Sequence, residues 1–335
     1  MFRDTWAQEE EGGLTMLDMI IIDGLSFSLP LFIMAIGGIY SERSGITNLA
    51  LEGFQGFGAF TGAFMAVYLS GIFGSGSAVP YYASFVFATI GGGIFALLHA
   101  LLCIRFKADQ VISGVVMNIL AMALTGFLTK SINASMFGNA ANKFVLGASS
   151  RLTVKGLCDV PVIGAAFRDI YPFEVVIIVV AVVMWYVLYR TVYGMRLLAC
   201  GDNPHSADAA GINVYAVRTV AVFISGCLSG IAGMSFAYSV SANFSPDIYM
   251  GYGYLSIAAL IFGNWDILPA LWACLIFGFA RSGGSAVIHQ LGLPSGYNDL
   301  VRILPYVLTL LLLVFFSRHN HSPRALGQIY DKGQR

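Results

Sequence analysis

The sequence predicts an all-α fold: a polytopic bundle of membrane helices with about nine transmembrane spans, one of them short and broken, and a short helix outside the bilayer. Three observations predict it. Apolar residues make up 57% of the chain and charged residues only 11%, against roughly 25% charge in a soluble domain. The apolar residues gather into stretches near the length of about twenty that crosses the hydrocarbon core. The charges collect in the gaps between those stretches.

In chain order, residues 1–16 form an N-terminal tail with Asp4, Glu9, Glu10 and Glu11. This acidic run is unlike the basic end of a cleavable signal peptide and leaves Met16 as an alternative start. The membrane domain, 17–317, is expected to hold spans at Leu17–Ile39, Ile46–Leu69, Tyr81–Ile104, Val111–Thr129, Phe173–Val192, Thr219–Val240, Leu268–Ile288 and Leu300–Phe316. Residues 318–335 are a C-terminal tail. Ile248–Phe262 is the short span: it follows Pro246-Asp247, contains Gly251 and Gly253, and stops at Gly263-Asn264-Trp265-Asp266. Glycine-broken membrane segments expose backbone groups to a central cavity, so its start is expected to be partly unwound.

Lys and Arg mark the cytoplasmic side. Arg318, Arg324, Lys332 and Arg335 lie in the tail, Arg190, Arg196 and Arg218 between the fifth and sixth spans, and Arg105 and Lys107 between the third and fourth. Loops 70–80 and 241–247 carry neither and belong outside. Parity then places the N-terminus outside, together with the loop 130–172 in spite of its basic residues. Gly58 with Gly62, Gly226 with Gly230, and Gly91-Gly92-Gly93 have the spacing of close helix packing. The five cysteines form no CxxC pair or metal-type spacing. No metal ligands or catalytic residues are expected, and zero net charge leaves no electrostatic footprint for nucleic acid.

The segment Glu42-Arg43-Ser44-Gly45-Ile46-Thr47-Asn48-Leu49-Ala50-Leu51-Glu52-Gly53 puts charge where apolar residues should cross. An ionisable group at that depth is a functional-site hypothesis by default. Asn48, Glu52 and Gln55 fall at i, i+4 and i+7 of one helix face. They read either as a substrate-pathway stripe or as an internal lock, with Glu52 pairing Arg43 or capping a broken helix. A second stripe runs Gly114, Asn118 and Thr125, with Ser113 beside it and Asp109-Gln110 at its mouth. Asn118 meets solute or glues helices together. Phe32, Phe57, Phe60 and Tyr254 could stack on a ring.

Outside the bilayer, Gly201-Asp202-Asn203-Pro204-His205-Ser206-Ala207-Asp208-Ala209-Ala210-Gly211 reads as a short helix over about 202–211. Asp202 or Asn203 is the N-cap, Pro204 the first helical residue and Gly211 the stop. Small Ala207 and Ala210 suit insertion into a groove on a partner protein.

The segments GGIYSERSGITNLALEG, DQVISGVVMNILA, GMRLLACGDNPHSADAAGINVYAVR and GYGYLSIAALIFGNW resemble, in order, the motifs of permease subunits of bacterial ABC importers of the simple-sugar and nucleoside branch. The charged ERSG form is closer to the nucleoside type than to the ribose type. The resemblance implies a bacterial inner-membrane complex with a second permease subunit, an ABC ATPase holding the ATP and Mg, and an external substrate-binding lipoprotein. It makes 202–211 the helix that couples to the ATPase. Consistent with that, the chain has no GxxxxGK followed by Ser or Thr and so no cofactor of its own. Riboflavin or a simple sugar stays open as cargo beside a nucleoside. An ion-coupled secondary transporter is the rival class, and an intramembrane hydrolase using Ser225 or Ser229 with His289 lacks a GxSG elbow.

Overall fold

The computed structural model describes residues 15–74, 77–147, 151–153, 156, 163–247, 251–292, 294–316 and 321–333. The N-terminal tail to residue 14, Cys158 and residues 248–250 at the start of the short span lie outside the described residues. The helices are α1 (Met16–Arg43), α2 (Leu51–Phe73), α3 (Val79–Ala100), α4 (Gln110–Phe137), α5 (Pro172–Arg190), α6 (Val192–Asp202), α7 (Pro204–Ala209), α8 (Val214–Phe236), α9 (Tyr252–Phe262), α10 (Ile267–Gln290) and α11 (Asn298–Phe316). α3 and α8 each end in a π-turn, Leu101–Arg105 and Ala237–Ser241.

Local chemistry sets the ends. At the start of α1 the Thr15 side chain accepts from the Asp18 N–H, while the Thr15 N–H donates to Asp18, a reciprocal capping box. Asp109 and Asn213 cap α4 and α8 by accepting from Ile112 and Ala216. α1 and α8 are the most deeply buried helices and lie side by side. α2 and α3 pack together and on α8, α10 and α9 pack on α1, and α4 flanks α2. The anticipated small-residue seams are here. A Cβ on Gly58 would stand 2.5 Å from the Gly230 Cα, and one on Gly230 would run into the Ala88 carbonyl. One on Gly92 would meet the Gly226 carbonyl, so α2, α3 and α8 touch backbone to backbone.

Among the described residues seven helices are long and apolar enough to cross a membrane: α1, α2, α3 with its π-turn, α4, α5, α8 with its π-turn, and α10. The expectation of about nine spans is therefore met only in its coarser form. α9 has 11 residues, about 16 Å of rise, half of a hydrocarbon core. The expected span Ile46–Leu69 is helical only from Leu51, because Gly45 (φ +95°) ends the turn after α1 and residues 46–50 are not helical. A two-stranded ribbon joins Phe144–Val145 to Asn243–Phe244. This ribbon places part of the loop 130–172 at the same end of the bundle as residues 241–247. The basic segments gather at the opposite end, where Lys107 pairs with Asp331 and Lys332 with Asp208.

Replacing Gly230 by Leu forces side-chain atoms against the Ala88 backbone. It should lower stability by about 1–3 kcal/mol or more, seen as a lower unfolding temperature in detergent. Gly71→Leu, at a position with nothing within 4 Å, should leave that temperature unchanged.

Candidate functional site

The break between α1 and α2 has few hydrogen bonds of its own, and other helices supply the rest. The buried carboxylate of Glu42 accepts the Trp265 indole N–H at 2.5 Å. Arg43 donates its Nε to the Trp265 carbonyl (3.0 Å) and its Nη2 to Asp266 (2.6 Å), which also accepts the Tyr189 hydroxyl at 3.0 Å. These contacts hold a tight turn between α9 and α10. Asn264 and Trp265 there take the left-handed φ values 52° and 58°, which non-glycine residues adopt only when held. Within the break, Ser41 donates to the Ile46 carbonyl, Ser44 to the Ser41 carbonyl, and the Thr47 N–H to Gln110. Buried Arg218 reaches the Ser44 carbonyl at 2.9 Å from α8.

The named pathway residues meet around this break. Asn48 precedes α2 rather than riding on it, so the single helix face with Glu52 and Gln55 is not formed. Its side chain donates to Ser225 (2.9 Å) and accepts from Ala50 (3.1 Å). Glu52, in the first turn of α2, accepts the Gly251 N–H at 2.9 Å and so caps α9 from another helix. Gly253 is what allows this approach, since a Cβ there would stand 2.5 Å from the Glu52 Cβ. Asn118 accepts from Gly53 (2.7 Å) and donates to the Leu49 carbonyl (2.8 Å) and the Tyr254 hydroxyl (3.1 Å), joining α4 to α2 and α9. Ser113 lies 2.9 Å from His99 Nδ1. Gln55 is different: it is fully buried, and neither end of its amide has a hydrogen-bond partner. Of the rings considered for stacking, Phe32 and Phe60 are core residues and Phe57 stacks on Phe95 at 4.6 Å. Tyr254 is exposed.

At the basic end, α6 and α7 meet at Asn203, whose side chain accepts from Ser206 (3.0 Å) with Pro204 next to it, as the sequence implied. Gly211 takes φ +82° at the stop. Gly201, Pro204 and Ala207 turn inward and are buried; Asp202, Asn203, His205, Ser206, Ala209, Ala210 and Gly211 are exposed. Ala207 is therefore part of the chain's own core, and the exposed face of this segment is carried by Ala210 and its exposed neighbours. A Cβ on Gly201 would meet the Arg43 carbonyl, so α6 rests directly on the end of α1.

The C-terminal tail is a strap across this end. Ala325 donates to the Gly201 carbonyl (2.8 Å), Gly327 to the Gly45 carbonyl (3.1 Å), and Arg218 to the Gln328 carbonyl (3.2 Å). Tyr330 packs 5.2 Å from the rings of both His205 and Tyr215. The Lys107–Asp331 hydrogen bond (2.6 Å) holds the carboxyl below and the ammonium above their usual ranges. Trp265, Asp266, Arg218 and this strap were not singled out by sequence reasoning as one site. Only the NWD turn and the conspicuous arginine within an apolar stretch could have hinted at it. Among the described residues no group of three or more His, Cys, Asp or Glu side chains could hold a metal ion.

Comparison with known proteins adds the following. The family described as branched-chain amino acid transport system / permease component matches residues 20–314. The guanosine ABC transporter permease protein NupQ of Bacillus subtilis is 36% identical over 326 residues, covering 96% of this chain and 98% of that protein. The nucleoside ABC transporter permease protein NupC of Lactococcus lactis is 35% identical, with 95% and 98% covered. A second Bacillus subtilis protein, the guanosine ABC transporter permease protein NupP, is 23% identical over 91% of this chain and 82% of its own length.

Asn118→Leu leaves the Gly53 N–H and the Leu49 carbonyl without a partner. A cost of about 1–3 kcal/mol for each buried group left unsatisfied should appear as a lower unfolding temperature of the purified protein. An unchanged temperature with lost transport would mean that Asn118 serves the solute and not the helix seam.

Proposed function

We propose a function from one established fact: the chain belongs to the branched-chain amino acid transport system / permease component family. It is a multi-pass membrane protein, and we read it as the membrane-spanning subunit of an ATP-binding-cassette importer that carries a nucleoside. The observation that carries this reading is the near full-length identity, 36% and 35%, to a guanosine and a nucleoside permease. The geometry supports it through the capped helix α7, which offers exposed small residues at the basic end of the bundle. On this reading α7 packs into a groove of a separate ATPase that holds ATP and magnesium, and an external lipoprotein delivers the solute. The described membrane helices together with short α9 and α11 would make the nine spans expected from the sequence.

Two Bacillus subtilis permeases resemble the chain, one at 36% and one at 23% identity. This supports a pair of unlike permeases, with this chain in the place of the first and a more distant relative as its partner. Asn48, Glu52, Gln55, Ser113 and Asn118 would form the gate of the pathway between them. In this conformation Asn48, Glu52 and Asn118 are engaged within the chain. A motion of α7 passed through Gly201 to the end of α1 would reach that gate directly.

The test is a tryptophan at each of two alanines, Ala207 in this helix and Ala210 at its C-cap. Ala210→Trp, on the exposed face, should leave the membrane level normal while abolishing both co-purification of the ATPase and ATP-dependent nucleoside uptake. Ala207→Trp should lower the amount of folded protein instead, since Ala207 is in the core. Undiminished ATPase recovery and normal uptake in Ala210→Trp would overturn the docking assignment.

A further inference from the structure

Arg281 stands within the apolar helix α10, about 21 Å of helical rise from Ile267. A guanidinium at that depth is expensive unless something uses it. Its carbon lies 4.1 Å from the centre of the Phe27 ring and 5.6 Å from that of Tyr252. Phe27, Tyr252 and Phe236 pack together, with centroids 4.8–5.3 Å apart, and form an aromatic platform drawn from α1, α9 and α8. Ser282 donates to the Ile20 carbonyl at 3.0 Å and fixes α10 on α1 beside it. Among the described residues, no carboxylate pairs with Arg281 and no hydrogen bond uses its N–H groups.

We propose that Arg281, seated on Phe27 beside Tyr252, is a binding site for the base of the transported nucleoside and reads the adjacent carbonyl and ring-nitrogen acceptors of a 6-oxopurine. The inference rests on the importer reading and adds the class of base. Stacking uses one face of a guanidinium and leaves its N–H edge free, and that planar edge matches two neighbouring acceptors in one plane. Carboxylates and phosphates share this acceptor geometry. Two features favour a neutral ring over an anion: the aromatic platform, and the Glu52 carboxylate held at Gly251, next to Tyr252. Tyr252 is half-buried and opens α9 next to Gly251, whose N–H is held by Glu52.

The test uses the purified permease–ATPase complex without the external lipoprotein, so that only the membrane subunits select. Ligand-induced rise in unfolding temperature is titrated with inosine, 7-deazainosine, adenosine and inosine monophosphate for the wild type, Arg281→Lys and Arg281→Gln. Inosine should bind the wild type about tenfold to a hundredfold more tightly than 7-deazainosine or adenosine, the range of a bidentate arginine–purine contact. That preference should collapse to within about twofold in Arg281→Gln and stay mostly lost in Arg281→Lys, which keeps the charge but not the fork. The wild-type comparison stands even where a variant fails to accumulate. Equal binding of inosine and 7-deazainosine to the wild type, a preference that persists in Arg281→Lys, or tighter binding of the monophosphate would overturn the assignment. If the intact importer takes up no nucleoside at all, the importer reading itself fails. If it takes up nucleosides while the inosine preference is absent, only the role of Arg281 does.

Discussion

Backbone inside a membrane bundle must have its hydrogen bonds satisfied by protein, and this chain is interrupted where it should cross. Everything at the candidate site follows from that constraint. The break after α1 is closed by Glu42 and Arg43, which reach to Trp265 and Asp266, by Asn118 from α4, and by Arg218 from α8. The start of α9 is capped by Glu52. Both places are thus completed by side chains from distant parts of the sequence. Neither can open without loosening contacts between helices, so a local break has become a property of the whole bundle. The glycine seams between α2, α3 and α8 provide the opposite quality: backbones in direct contact that hold as one body.

The same residues connect the membrane interior to the basic end. Gly201 of α6 rests on the Arg43 carbonyl, and Gly327 of the strap bonds the Gly45 carbonyl. On the proposed reading, a displacement of α6 and α7 would reach the Glu42–Trp265 contact through the Arg43 carbonyl. The strap itself touches α7 through Tyr330 and Lys332 and the loop after α3 through Asp331. Coupling between two sites requires an element with two arrangements. The interrupted segment 44–50, held by turn and side-chain bonds rather than helical ones, is the element suited to have them.

Much of the fold was legible because membrane helices announce themselves by length and composition. The caps of α7 at Asn203 and Pro204 were legible because their chemistry is local. The seams at Gly58, Gly92 and Gly230 could be read from spacing alone. The placement of Asn48 could not, since helical periodicity was extended through residues that Gly45 had already taken out of the helix. The inward face of Ala207 was equally hidden: which side of a two-turn helix is buried depends on α6 and the neighbouring segments, not on its own sequence. Arg281 was written in plain sight as a charge inside an apolar stretch, yet its partners are rings from two other helices, Phe27 of α1 and Tyr252 of α9. The strap looked like an ordinary basic tail, and its backbone bonds to Gly201 and Gly45, with the packing of Tyr330, show that it is part of the structure.

On the proposed function, this bundle moves a nucleoside with energy from a separate ATPase. The direct measurement is accumulation of a labelled nucleoside by proteoliposomes that contain this chain, its partner permease, the ATPase and the external binding protein. Accumulation should require ATP on the ATPase side, persist when proton and sodium gradients are collapsed, and vanish when this chain is omitted. Accumulation driven by an ion gradient in the absence of ATP would contradict it.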